Sequence, residues 1–251
     1  GSSWTEVANV NSQRVNVMGA FDDNSEGIIF GGTPGAIAST EYWDGTSWTE
    51  IADLSTGRSD GGGCGNETAA ICLGGKSPPV IANTEEFTAA TITDSIVNDG
   101  QCFYRSDTGD FKLSLTQFGT GSWASGGTMG TTRPQASPAG TQTAGLVSGG
   151  ASDSANAETY DGTSWSEVAN INTGRSKSAG GGTQTSAMNT GGNGSPSDYE
   201  NKAETWDGSS WTEVSEINTG RNASGGCGAS STSTLIFGGE VSGGGTTANT
   251  E

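Results

Sequence analysis

The chain contains no histidine, and only 10 Lys and Arg against 28 Asp and Glu, giving a formal net charge of −18 over 251 residues. Without imidazole, Ser-His-Asp and Cys-His relays are excluded, as is a His-ligated zinc or copper centre. A surplus of negative charge repels phosphate, so nucleic acid is not an expected partner. It suits a solvated surface. Apolar residues make up only 30% and form no run of about 18, so no segment reads as a membrane-spanning helix. With 43 glycines, such a composition would indicate disorder if it had no period.

It has one. Residues 28–58, IIFGGTPGAIASTEYWDGTSWTEIADLSTGR, hold an apolar triplet, Gly-Gly, Glu, aromatics around Asp-Gly, and Arg. Aligned on Trp, the copies fall at Trp4, Trp48, Trp123, Trp165 and Trp211, with Arg14, Arg58, Arg133, Arg175 and Arg221 ten residues after each. Gly-Gly follows each Trp by 26 or 27 residues, starting at Gly31, Gly74, Gly149, Gly191 and Gly238. Glu41, Glu158 and Glu204 precede the next Trp by seven residues, and Glu85 and Glu251 stand in the same register. A repeat of this length means blades or solenoid coils, with one core built from neighbouring units.

Each repeat reads as four antiparallel strands, the last two joined by a tight turn at Asp44-Gly45, Asp161-Gly162 and Asp207-Gly208. That is the signature of a β-propeller blade. Six residues after each Arg stands a small residue, Ala20, Cys64, Ala139, Gly181 or Cys227, as an inner strand crowded around a narrow axis requires. The expected fold is therefore all-β, a single five-bladed propeller over residues 1–251. The chain starts within a repeat and has no initiator Met, so it reads as a piece of something longer. Residues 1–6 are expected to supply the fourth strand of the last blade and close the ring, removing exposed strand edges. An open fragment of a longer array is the other arrangement.

The series IIFGG, STEYWDGTSW and a following Arg resembles the kelch repeat of kelch and galactose-oxidase-type propellers. Stretches such as ANAETYDGTSWSEVANINTGR also resemble kelch-like repeats in structural proteins of tailed marine bacteriophages. The resemblance implies a propeller but leaves function open, because propellers host enzymes, lectins and scaffolds alike. The copper oxidase chemistry among kelch relatives needs His ligands, which this chain lacks.

One insertion breaks the rhythm. Trp48 and Trp123 lie 75 residues apart, which places an addition at residues 88–118 within the second blade. It reads as a β-hairpin with Gly109 in its turn: a contact element, a decoration on its own blade, or a divergent sixth blade. Phe103, Tyr104, Arg105, Lys112 and Tyr199 lie outside the repeat pattern and are the candidate binding residues. The in-register Arg and Glu are read as structural pairs, since a site needs asymmetry. Residues 22–26 and 106–110 are oxygen-rich but lack the EF-hand spacing, so they are read as turns. Cys64 and Cys72 could oppose each other across a hairpin, yet Cys72 occupies a core slot, and free thiols are expected.

No catalytic residue, cofactor or metal is expected. The reading is a non-enzymatic structural or attachment module of a virion (phage tail, fibre or capsid appendage), virion-borne or extracellular. Its expected partners are other appendage subunits and a host-surface glycan, with no membrane insertion. The alternative is a soluble lectin-like or scaffolding kelch propeller of a cell.

Overall fold

The computed structural model describes residues 4–90, 102–105, 110–113, 120–195 and 197–251. Among the described residues every regular element is a β-strand, and the sheets are arranged as the five blades of a β-propeller. Blade 1 comprises Met18–Phe21, Gly27–Phe30, Thr40–Trp43 and Trp48–Ile51, paired in that order from the axis outward. Blade 2 comprises Gly62–Gly65, Ala69–Leu73, Asn83–Thr88 and Ser122–Thr128. Blade 3 runs through Ser137–Thr141, Ala144–Ser148, Ala157–Tyr160 and Trp165–Val168, and blade 4 through Ala179–Thr183, Ser186–Thr190, Ala203–Trp206 and Trp211–Val214. Blade 5 pairs Gly225–Ser230 with Ser233–Phe237, and a bridge from Phe237 to Thr250 adds a third segment.

The Asp-Gly steps form the expected turns between the third and fourth strands. Gly45, Gly162 and Gly208 have φ of 85°, 90° and 94°, a region open to glycine. The preceding carboxylates cap the turns: Asp44 Oδ1 accepts the Thr46 and Ser47 N–H groups at 2.8 and 2.7 Å. Such donors favour the charged form, holding Asp44 and Asp161 below the usual carboxylate range; at Asp207 the Ser209 hydroxyl, with the Ser210 and Ser209 N–H groups, brings the carboxyl down to about 2.

Burial lies between blades. Ile28 and Phe30 of blade 1 pack with Cys72 and Phe87 of blade 2. Ile71 and Leu73 of blade 2 pack with Val147 and Tyr160 of blade 3, and Leu146 of blade 3 with Trp206 and Trp211 of blade 4. Each such side chain contributes about 1.5–3 kcal/mol when fully buried. Trp123 of the outer strand bridges two blades, its ring centroid 4.9 Å from that of Phe30 in blade 1 and 5.3 Å from that of Phe87 in its own. Near the axis side chains give way to backbone: a Cβ on Gly63 would come within 2.6 Å of the Gly19 carbonyl in the adjoining blade. Amides staple the blades too, with Gln142 donating to the Phe87 carbonyl and Gln184 to that of Tyr160, each at 2.7 Å.

One expectation needs correction. Of the expected closing strand at residues 1–6, residues 1–3 lie outside the described residues and residues 4–6 carry no strand, although the Trp4 ring lies 6.0 Å from that of Phe237 in blade 5. Trp4 stays 79% exposed. No Asp-Gly turn joins Trp4 to Glu251, so nothing sets the register that the other blades inherit from their turns. Cys64 and Cys72 are free, as expected: the register pairs Cys64 with Ile71 and Cys72 with Gly63, which puts the thiols on opposite faces of blade 2. Burial pushes each up to about 12. Cys227 is free and exposed.

Asn189 of blade 4 occupies the slot held by Ile29, Cys72, Val147 and Ile236 in the other blades, and is fully buried. Its Nδ2 donates to Ser148 Oγ at 2.8 Å, while Oδ1 has no partner. A buried unpaired acceptor costs about 1–3 kcal/mol. Asn189→Val combined with Ser148→Ala is expected to raise Tm by ~2–4 °C or more in a calorimetric scan; a fall would show that the pair stabilises the interface.

The capped turns set an acid limit. Their aspartates have lower pKa values folded than unfolded, so their stabilisation is present above about pH 4 and is lost as pH falls through about 2 at Asp207. Denaturant midpoints at pH 2 and pH 5 should differ less in Asp207→Asn than in the parent chain.

Candidate functional site

The repeated Arg and Glu meet in pairs. Arg58 Nη2 lies 2.5 Å from Glu85 Oε1, and Arg175 Nη2 lies 2.7 Å from Glu204 Oε1. Arg14–Glu41, Arg133–Glu158 and Arg221–Glu251 make the same contact. The guanidinium also binds main chain: Arg58 Nη1 donates to the carbonyls of Gly74 and Asn83 at 3.1 and 2.7 Å. The carboxylate accepts in turn from the strand-to-blade linker, Glu85 from the Ser55 and Thr56 N–H groups at 2.7 and 3.2 Å. Burial lowers the affinity of the Arg175 guanidinium for its proton, and Glu204 opposes that.

Arg58, Arg175 and Arg221 also span two blades. The Arg58 backbone belongs to blade 1, where its N–H donates to the Ile37 carbonyl at 3.0 Å and its carbonyl accepts from Gly32 at 2.8 Å. Its side chain belongs to blade 2. Gly192 meets the Arg221 carbonyl in the same way at 2.8 Å. The Gly-Gly steps supply this geometry through two successive positive φ values, 70° and 112° at Gly31 and Gly32. Arg, Glu and Gly-Gly are therefore parts of one clamp.

The clamp presents a rim. Two residues after each Arg the chain adopts a left-handed conformation, at Asn16, Asp60, Gln135, Lys177 and Ala223, with φ between 51° and 61°. For residues with a Cβ this costs about 1–2 kcal/mol each. Their main chains form a belt around the axis. Ala223 N–H donates to Lys177 at 2.9 Å, Lys177 to Gln135 at 2.9 Å, Gln135 to Asp60 at 2.7 Å, and Asp60 to Asn16 at 3.3 Å. The backbone repeats while the side chains differ in charge, length and hydrogen-bonding capacity. Asp60 accepts from Ser59 Oγ at 2.8 Å and lies 3.8 Å from Lys76 Nζ. Beside the belt, Ser176 Oγ donates to Asp153 at 2.9 Å, and Asn222 Nδ2 to the Asp198 carbonyl at 2.9 Å.

The candidate binding residues are not all assembled here. Phe103, Tyr104, Arg105 and Lys112 have their backbones in a hairpin of Cys102–Arg105 with Asp110–Leu113, which pairs with no other strand among the described residues. Their side chains, Gly109, and residues 106–109 of the oxygen-rich turn lie outside the described residues. Tyr199 is half-buried in the loop between the second and third strands of blade 4. The rim was missed from sequence because Gln135, Lys177 and Ala223 give no left-handed signal; the spacing from Arg is the only mark.

No family model matches the chain, and no curated protein matches it in sequence. In structure it is similar to a propeller-like protein, "Structure of YjhT", at a TM-score of 0.50 and 14% identity, covering 97% of this chain and 95% of that one. That likeness concerns fold alone. As 166 solved chains match, the architecture selects no function.

Breaking the clamp should be costly. Removing one partner of a buried ion pair strands the other, at about 3–5 kcal/mol. Arg175→Ala and Glu204→Ala should each lose that much in urea unfolding, and the double variant less than their sum. Losses below about 1 kcal/mol would deny the pair its structural role.

Proposed function

We propose that the protein is a non-enzymatic recognition module of kelch type, carried on a virion appendage or outside the cell, and that its rim makes the contact. The observation that carries this reading is the belt, in which one backbone conformation displays five different side chains. Catalysis needs a few groups converging on one atom, whereas recognition needs varied groups held still over a surface. The left-handed strain at Asp60, Gln135 and Lys177 keeps polar side chains at the mouth of the ring, and strain of this kind collects where ligands bind. The resemblance of the repeats to those of phage structural proteins supports the virion setting, with neighbouring subunits and host-surface glycan as the partners.

Two measurements test it. Peptide mass spectrometry of nuclease-treated extracellular particles should find the chain enriched with capsid proteins; its absence from particles would sink the virion setting. The variant Asp60→Ala/Lys177→Ala should fold with unchanged Tm yet bind host cells or particles at least ~10-fold more weakly. Unchanged binding would remove the rim from the contact.

A further inference from the structure

At the other end of the inner hairpins, away from the Arg clamps, a cavity of about 510 Å³ opens on the axis. All five blades line it, through the ends of their first strands and, in blades 1 to 3, residues of the turns that follow. Its size falls within the range that holds a small organic ligand. The polar residues that line it are Asp22, Asn66, Thr141, Gln142, Thr143 and Thr183. No Lys or Arg lines it.

Phe21 supplies the apolar element. Its ring lies over the backbone of its own hairpin, where a Cβ on Gly27 would come within 1.8 Å of Cδ1. Glycine thus clears one side of the ring, while 45% of the residue remains open to solvent. The next residue, Asp22, accepts from Asn66 Nδ2 of blade 2 at 3.1 Å, which aims its carboxylate. A part-open aromatic ring next to a fixed carboxylate, in a cavity lined further by threonines and amides, matches a pyranose: C–H groups for the ring, O–H groups for the acceptors. The surroundings are negative. Burial and the charges of Glu26, Asp22 and Asp23 hold the Glu67 carboxyl above its usual range. That field opposes an anionic sugar.

We infer that the axial cavity is a binding site for a neutral saccharide unit, with Phe21 as its stacking platform and Asp22 as its principal acceptor. This deepens the recognition reading by adding a ligand class at a second place, distinct from the rim.

The test uses the intact chain with methyl glucoside, methyl galactoside, N-acetylglucosamine and glucuronate as probes, followed by saturation-transfer NMR. Cys227 lines the same cavity and is exposed, so a bound sugar should also slow its alkylation by iodoacetamide, read by mass spectrometry on the Cys227 peptide. At least one neutral probe should bind with a millimolar Kd and glucuronate far more weakly. Phe21→Ala should weaken binding by ~5-fold, and Thr183→Trp, an exposed position, should abolish it by filling the cavity. Asp60→Ala/Lys177→Ala should leave it intact. Failure of every neutral probe, equal binding of glucuronate, or binding that survives Thr183→Trp with Cys227 unprotected would overturn the inference. Loss of host attachment in the rim variant alongside such a failure would leave the recognition reading standing.

Discussion

The structure depends on a guanidinium that is buried where two blades meet. An unpaired charge there would be expensive, so Arg58 has to satisfy its donors, and it does so with Glu85 and the carbonyls of Gly74 and Asn83. Because its own main chain is held by Gly32 and Ile37 of blade 1, satisfying the side chain fixes the position of blade 2 relative to blade 1. The hydrophobic clusters then have a geometry to fill. With few apolar residues, the chain relies on directional contacts to set the angle between blades and on modest apolar faces to hold it.

Such an arrangement makes stability a matter of nearest neighbours. The interfaces between blades 1 and 4 bury Ile28, Ile71 and Leu146 almost fully, whereas Leu235, at the same register in blade 5, remains 38% exposed. The main-chain belt follows the same order, running from Ala223 to Asn16, and among the described residues no main-chain hydrogen bond joins those two ends. Val15, Val17 and Phe21 of blade 1 are exposed on that side as well. Blade 5 is therefore held chiefly through blade 4, and its opening is the least costly local fluctuation of the ring.

Much of the fold was legible because its causes repeat. Trp, Arg, Glu and Gly-Gly recur for one physical reason, and five copies separate a structural mark from composition. The turn chemistry of Asp44-Gly45 was readable from two residues, and so was the demand for small side chains near the axis. What could not be read are contacts set by three-dimensional register. The alternate faces of Cys64 and Cys72 depend on a pairing offset of one residue, which sends a side chain to the other side of a strand. The expected closing strand at residues 1–6 rested on matching sequence, but the described residues 4–6 have no covalent turn to blade 5 from which to inherit a register. The rim was hidden because Gln, Lys and Ala are poor predictors of a left-handed backbone.

Regularity and variation divide the molecule. Positions that join blades are the same in every copy because every interface imposes the same demand for charge neutralisation and close backbone approach. Positions two residues past each Arg share a backbone but no chemistry, and the turns around the axial cavity likewise share a path while offering Phe21, Asn66, Gln142 and Cys227. The left-handed residues show which demand prevails. A glycine would relieve the strain at Asp60 or Lys177, yet side chains stand there, and the clamps on either side keep them in place. The scaffold thus holds unlike side chains at equivalent places against a cost in backbone strain, and it is on this that the proposed recognition role rests.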